Sequence, residues 1–313
     1  MNHCTKKANH KIRAFLAPAA VALMLLVNAD ATQKGRPQPD ASMWKPVEAA
    51  MGRPGTLQPD GVFKFSMPRK DMRVTVQGTP IHAGLALGSW TAFLGKPGKA
   101  MAMGDLVLSE DEVGPVMLKL QQEGVQITAV HNHLLHETPR VVYMHIEGHG
   151  NAARMAKAIR DALALTKTPA PTASAPAKPE DQNIGIDTAQ IGAILGRAGK
   201  VNGGILQVSV PRPERITDAG MEVPPSMGTA TALNFEPTGA GRAAITGDFV
   251  LLAEEVNPVL TALRDNGIQV TALHSHMLNE QPRLFFMHFW ANDDALKLAR
   301  GLRAALDLMK STK

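Results

Sequence analysis

The chain has 313 residues, 44% of them hydrophobic, with 33 Lys and Arg against 28 Asp and Glu. That is enough for two domains of ordinary size, and its single cysteine excludes a disulfide framework. A net charge of +5 without a basic stripe, and one tyrosine in the whole chain, argue against a nucleic-acid partner.

The first stretch reads as an export signal. Lys6, Lys7, Lys11 and Arg13 precede an apolar run at 14–27 (AFLAPAAVALMLLV), and Ala29-Asp30-Ala31 offers the small residues a signal peptidase needs. The apolar run is shorter than the roughly 20 residues that span a bilayer. We expect cleavage after Ala31, a periplasmic or secreted product, and no integral membrane span in the mature form. Cys4 lies ahead of the apolar run, so it is not a lipobox cysteine and leaves with the signal. Four cations and Asp30 leave too, and the formal charge falls from +5 to +2.

The remaining chain is written twice. Adding 143 carries Gly104-Asp105 onto Gly247-Asp248, Glu112 onto Glu255 and Gly124 onto Gly267. From 127 to 146, ten of twenty positions are identical to 270–289. A Pro- and Ala-rich stretch without large apolar side chains, 167–183, separates the copies and reads as an extended linker. The expected domains are therefore 44–166 and 184–313.

In chain order, each copy opens with a short helix closed by glycine, at 46–51 and 188–195. Strand-like runs follow: VFKFSMP, MRVTVQG, SWTAFLG and AMAMGDLVL, answered by ILQVSVP, TALNFEP and AAITGDFVLL. Ser109 and Glu112 form a capping box that starts a helix running to Gln122 and ending at Gly124. A histidine-rich hairpin comes next, with E-T-P or E-Q-P at its turn. Helices at 151–165 and 293–309 close the units. This order predicts an α+β fold: two tandem homologous domains, each an antiparallel sheet with helices packed on one face.

The chemistry sits in the hairpins. The chain beyond residue 31 has nine histidines, and all but His82 lie in or just past AVHNHLLHETPRVVYMH and its counterpart. Alternation puts His131 and His133 on one strand face, and a turn centred near Thr138 sets His145 opposite His131. Three converging imidazoles suit a divalent metal, zinc first. Glu137 is a candidate fourth ligand or general base, or a turn cap. Arg140, beside the cluster, can grip an anion or pair with the turn carboxylate. Asp105 can orient an imidazole or end a strand. His82, His136 and His149 occur only in the first copy, where Pro225, Asn279 and Asn292 stand in the second. The expectation is therefore a metal site in the first domain, with His82 and His136 as possible additions. His274, His276, Glu280 and His288 are read as a degenerate second site. Methionines such as Met101 and Met103 raise copper as the alternative ion.

HNHLLHETPR and HSHMLNEQPR, each ahead of an MH-containing strand, resemble the LppY/LpqO family of exported bacterial proteins of unknown function. The resemblance covers nearly the whole chain beyond the signal and implies export. Named members of that family are lipoproteins, and the missing lipobox implies a soluble product instead. His131-x-His133-x3-Glu137 also has the spacing of the first cupin metal motif. The upstream glycine is one residue out of place, however, the second cupin motif is absent, and helices stand where a jelly roll needs strands.

Together these features predict an exported protein with a divalent-metal site and a small-molecule or unknown ligand, with metal-assisted hydrolysis as the catalytic reading. The rival is a non-catalytic binding or interaction module in which the histidines form a structural patch.

Overall fold

Each repeat builds the same six-stranded antiparallel sheet. The computed structural model describes residues 41–171 and 183–310. The expected signal, 1–31, lies outside the described residues, as do 172–182 of the expected linker. The first repeat runs α1 (Lys45–Met51), β1 (Thr56–Leu57), β2 (Phe63–Pro68), β3 (Val74–Val76), β4 (Thr79–Ile81), α2 (Ala83–Ala86), β5 (Gly88–Lys96) and β6 (Lys99–Ser109). It continues through α3 (Glu110–Gln122), β7 (Gln126–His131), β8 (Glu137–Thr138), β9 (Val141–Gly150) and α4 (Ala152–Leu163). The second runs α5 (Thr188–Leu195), β10 (Lys200–Asn202), β11 (Ile205–Pro211), β12 (Thr217–Asp218), β13 (Met221–Glu222), β14 (Ala230–Gly239) and β15 (Arg242–Leu251). α6 (Ala253–Asp265), β16 (Gln269–His274), β17 (Phe285–Asp294) and α7 (Ala295–Leu306) complete it. The sheet orders, β1-β2-β5-β6-β9-β7 and β10-β11-β14-β15-β17-β16, superimpose element for element.

The two faces of each sheet are buried against different things. On the outer face of the first sheet, Phe65, Leu106 and Met144 pack with Val47, Leu120 and Ile159 of the helices. Phe235, Phe249 and Phe289 do the same with Ile191, Leu263 and Leu302 in the second. Full burial of one such side chain contributes about 1.5–3 kcal/mol. The inner faces pack on each other: Val107 and Tyr143 share a cluster with Ala244 and Trp290. Met101 and Met103 share another with Val250 and Phe286. Helices, sheet, sheet, helices is thus the layer order. Burial on both faces is why AMAMGDLVL is a continuous run rather than an alternating one, with every residue from Ala100 to Leu108 buried.

A buried ion pair fastens helix to sheet in both repeats. Arg69, 1% exposed, donates to Glu112 at 2.6 and 3.1 Å and to the carbonyl of Val107 at 2.7 Å. Arg212 repeats this with Glu255 at 2.7 and 3.2 Å and Val250 at 2.7 Å. The same glutamates cap their helices, accepting from Ser109 N–H at 2.9 Å and Leu252 N–H at 2.7 Å. Leu252 has no side-chain oxygen, so the second repeat keeps only the glutamate half of the box that Ser109 and Glu112 form in the first.

The run MRVTVQG does not join the main sheet. Only Val74–Val76 forms a strand, pairing with β4 and with β8, which is drawn from the histidine loop itself. The hairpin is therefore not tight: its connection leaves the sheet to build this small one.

Candidate metal centre

β7 ends at His131, and His133 lies two residues on, in the loop. His145 occupies the middle of β9, opposite Asp105 on β6 and Ala129 on β7. The expected register set His145 against His131; instead His131 faces Tyr143. An irregularity between Ile127 and Ala129 and the early end of β7 shift the pairing by two residues, which keeps the same face. The second repeat repeats the arrangement, with His274 ending β16 and His288 opposite Asp248 and Ala272.

The inner faces bring both sets of histidines to one point. His131 stacks on His274 at 3.7 Å between ring centroids and His133 on His288 at 3.7 Å, while His145 lies tilted by 31° against His276 at 3.9 Å. Exchanging the repeats maps the first contact onto itself and the other two onto each other. That is the signature of a two-fold axis through the His131–His274 contact. Three sets of imidazoles have donor atoms within 4.8 Å of one another: His131, His133 and His145; His131, His274 and His288; and His145, His274 and His276. Two of the three cross between repeats. The sequence reading assigns the chemistry to the first domain and treats the second as degenerate, because linear order hides the meeting of the inner faces. In space the two triads form one cluster.

Local contacts hold the rings in place. Thr128 Oγ1 donates to the carbonyl of His276 at 2.6 Å, and Thr271 Oγ1 to that of His133 at 2.5 Å. Each repeat thereby clamps the other's loop. Tyr143 stacks on His133 at 3.3 Å and Phe286 on His276 at 3.4 Å. Nδ1–H of His288 donates to the carbonyl of Gly247 at 2.8 Å, and the Gly104 carbonyl serves His145 in the same way. This fixes the tautomer and turns Nε2 toward the cluster. Gly247 has to be glycine, since a Cβ there would lie 1.8 Å from the carbonyl oxygen of Ala232.

Burial governs the protonation. It holds His133, His145 and His276 well below the ordinary imidazole range, with neighbouring imidazoles adding to the effect. His131 and His274 are lowered for the same first reason, and His288 is brought down to about 3. All six are neutral at physiological pH, the form that binds metals. Nε2 of every one is buried without a hydrogen-bond partner among the described residues. Asp105 Oδ2 lies 3.5 Å from His133 Nε2, and Asp248 Oδ2 lies 3.0 Å from His276 Nε2 without hydrogen-bond alignment. Burial and the charge of Asp248 push Asp105 up to about 8.

The other expected site residues lie apart from the donor sets. Glu137 sits on β8, paired through its backbone with Val76, and joins none of them. Its counterpart Glu280 is buried and accepts from Leu284 N–H at 3.0 Å and Arg283 Nη1 at 3.2 Å, which caps the turn. Arg140 is exposed, 3.8 Å from Glu110. His136 is exposed with φ 60°, and His82 is exposed and paired with Glu236 of the second repeat. Met101 and Met103 are buried in an apolar cluster with Val250 and Phe286. Tyr143, Phe286, Lys64 and Trp90 were not singled out from sequence. The 143-residue period pairs Tyr143 with Phe286, but nothing in their spacing marks them as ring supports.

Among the described residues no helix is long and apolar enough to cross a membrane. No curated protein matches the chain. Among solved structures, a trimeric bacterial microcompartment shell protein, PduB, is matched at 14% identity over 81% of this chain and 92% of that one. Its TM-score of 0.18 carries no argument about fold or function. One family model matches twice, at residues 45–165 and 189–308. The chain, with both repeats accounted for, belongs to the family described as Domain of Unknown Function (DUF1259).

Proposed function

We propose that this chain is an exported metal-binding protein with one centre shared between its repeats. The observation that carries the reading is the convergence of six neutral imidazoles whose buried Nε2 atoms make no hydrogen bond among the described residues. An unsatisfied buried polar atom costs about 1–3 kcal/mol. Six of them approach the whole stability of a domain, about 5–15 kcal/mol. A metal ion satisfies several at once. An all-imidazole donor set suits zinc, with copper as the alternative. His131 and His274, on the axis, are the central ligands. His288 completes a set that neither repeat can make alone, and His133, His145 and His276 flank it. Asp105 and Asp248 approach Nε2 of His133 and His276, so at those two rings a carboxylate stands beside the donor atom and can share the ion.

A divalent ion held this way would supply Lewis acidity toward water or a bound oxygen, so metal-assisted hydrolysis is the catalytic reading. Glu137 keeps a place as a base only if its loop brings it to the ligand. The export signal and the likeness to the LppY/LpqO proteins support a periplasmic or secreted setting.

Elemental analysis of the purified, untagged protein tests the centre. We expect metal bound at a fixed stoichiometry per chain. His131→Ala with His133→Ala and His274→Ala with His276→Ala should each abolish it. A chain that resists metal loading overturns the proposal in favour of a structural patch. Loss on changing the first pair alone restores a one-domain site.

A further inference from the structure

A cavity of about 1360 Å³ opens between the inner faces and reaches His133, His145, His276 and His288. Its walls carry five cations: Arg53, Lys64, Lys70, Arg197 and Lys200. The only carboxylates among its lining residues are Asp105 and Asp248. Arg53 and Arg197 follow the first helix of each repeat, in MGRPG and LGRAG, so the duplication places one on each side. Nε of Arg53 is buried and has no hydrogen-bond partner among the described residues. Lys64 lies close enough to Asp105 for the two charges to act on each other. Its Nζ lies 4.2 Å from the Trp90 ring centroid and donates to the carbonyl of Ser226 at 3.1 Å. A Cβ on Gly228 would touch both Trp90, at 3.3 Å, and His276 Nδ1, at 3.5 Å, so Trp90 and the imidazoles are near neighbours. Nζ spends one of three donors on Ser226, which leaves donors for a ligand.

We propose that this cleft binds a small molecule carrying an oxyanion, carboxylate or phosphate, with Lys64 and Arg53 as its anchoring cations and the imidazole centre at its floor. The balance of cations over carboxylates selects an anion, and the cavity exceeds the few hundred Å³ a small ligand needs. Burial brings Lys64 down to about 8, so it still carries its charge at neutral pH. A weakly hydrated ammonium gives up less solvation when an anion displaces its water. The inference names the ligand class of the same centre, and it rests on the metal reading only for what the ligand meets at the floor.

The test is calorimetric titration of the chelator-treated full chain with inorganic phosphate and, separately, citrate, at constant ionic strength in chloride. We expect saturable binding of at least one. Phosphate alone identifies a phosphate ligand, citrate alone a carboxylate, and both the shared oxyanion chemistry. Lys64→Met and Arg53→Met, which keep the aliphatic stem, should each weaken binding at least tenfold, while Lys64→Arg retains it. Far-UV circular dichroism checks that each variant is folded. Binding of neither anion, or binding that survives both charge removals, overturns the proposal. Metal content measured on the same samples separates the two readings. A loaded centre without anion binding sinks only this inference, and anion binding by a chain that takes no metal sinks only the centre.

Discussion

On the ring of His133 the first repeat lays Tyr143; on the ring of His276 the second lays Phe286. On the wall leading to the rings the first repeat has Lys64, where the period of 143 puts Gln207 in the second. His82 of the first repeat reaches across to Glu236 of the second, and Pro225 stands at the equivalent place. The six imidazoles, the two aspartates beside them and the two threonine clamps are the same in both copies. Around the rings, the divergence described lies in one supporting side chain and in the approach. On the proposed reading, a symmetric core with an asymmetric entrance would let one ion take ligands from both sides while a ligand enters in one orientation.

The largest expected effect falls on what the repeats share. Arg69→Met strands Glu112 in the interior, and Arg212→Met strands Glu255. Each should cost about 3–5 kcal/mol, equally in the two repeats, by chemical denaturation. A large inequality would mean that the repeats do not carry matched loads. Gly247→Ala comes next. The new methyl meets Ala232 O at 1.8 Å, whereas the methyl of Gly104→Ala meets Trp90 O at 2.8 Å. We expect about 2–4 kcal/mol for the first and clearly less for the second, with metal affinity lost alongside because Gly247 also orients His288.

Acid sharpens the comparison further. The folded chain holds its cluster neutral, while unfolded histidines take up protons below about 6.5. The imidazoles' contribution to the stability of the metal-free protein should therefore be intact above that pH and fall as pH drops toward about 3, the folded value for His288. The raised Asp105 should oppose it by about one ring's slope between about 8 and 4. The slope is about 1.4 kcal/mol per pH unit for each ring kept neutral. Thermal melts across this window check it, and replacing the pair in either repeat should flatten the slope by the same amount. The smallest effect is Tyr143→Phe, which makes the first repeat like the second. It removes the hydroxyl's bond to Ala86 O at 3.0 Å, at about 1 kcal/mol, and should leave metal content unchanged.

The duplication, the α+β class and most element positions were legible because periodicity, capping and glycine punctuation are local. Identity at 131, 133 and 145 likewise pointed to the histidines that cluster. What lay beyond reach was relational. A bulge near Thr128 moved the register, and the E-T-P loop left the sheet to pair with β3. The meeting of two inner faces had only one trace in the sequence, the unbroken burial-prone run AMAMGDLVL. Such a run shows that both faces are covered without saying by what. The threonine clamps were visible only as identities, since nothing local distinguishes a hydroxyl that bonds across a domain boundary from one that ends a strand.

Duplication ordinarily leaves one copy free to drift while its twin keeps the work. If the proposed centre is shared, the His131–His274 contact on the two-fold axis withdraws that freedom. On the shared-centre proposal each copy supplies imidazoles to a single constellation, and a loss on either side would weaken the whole. A chain doubled in this way is less a backup than a pair of jaws, and it stays useful only while both close on the same point.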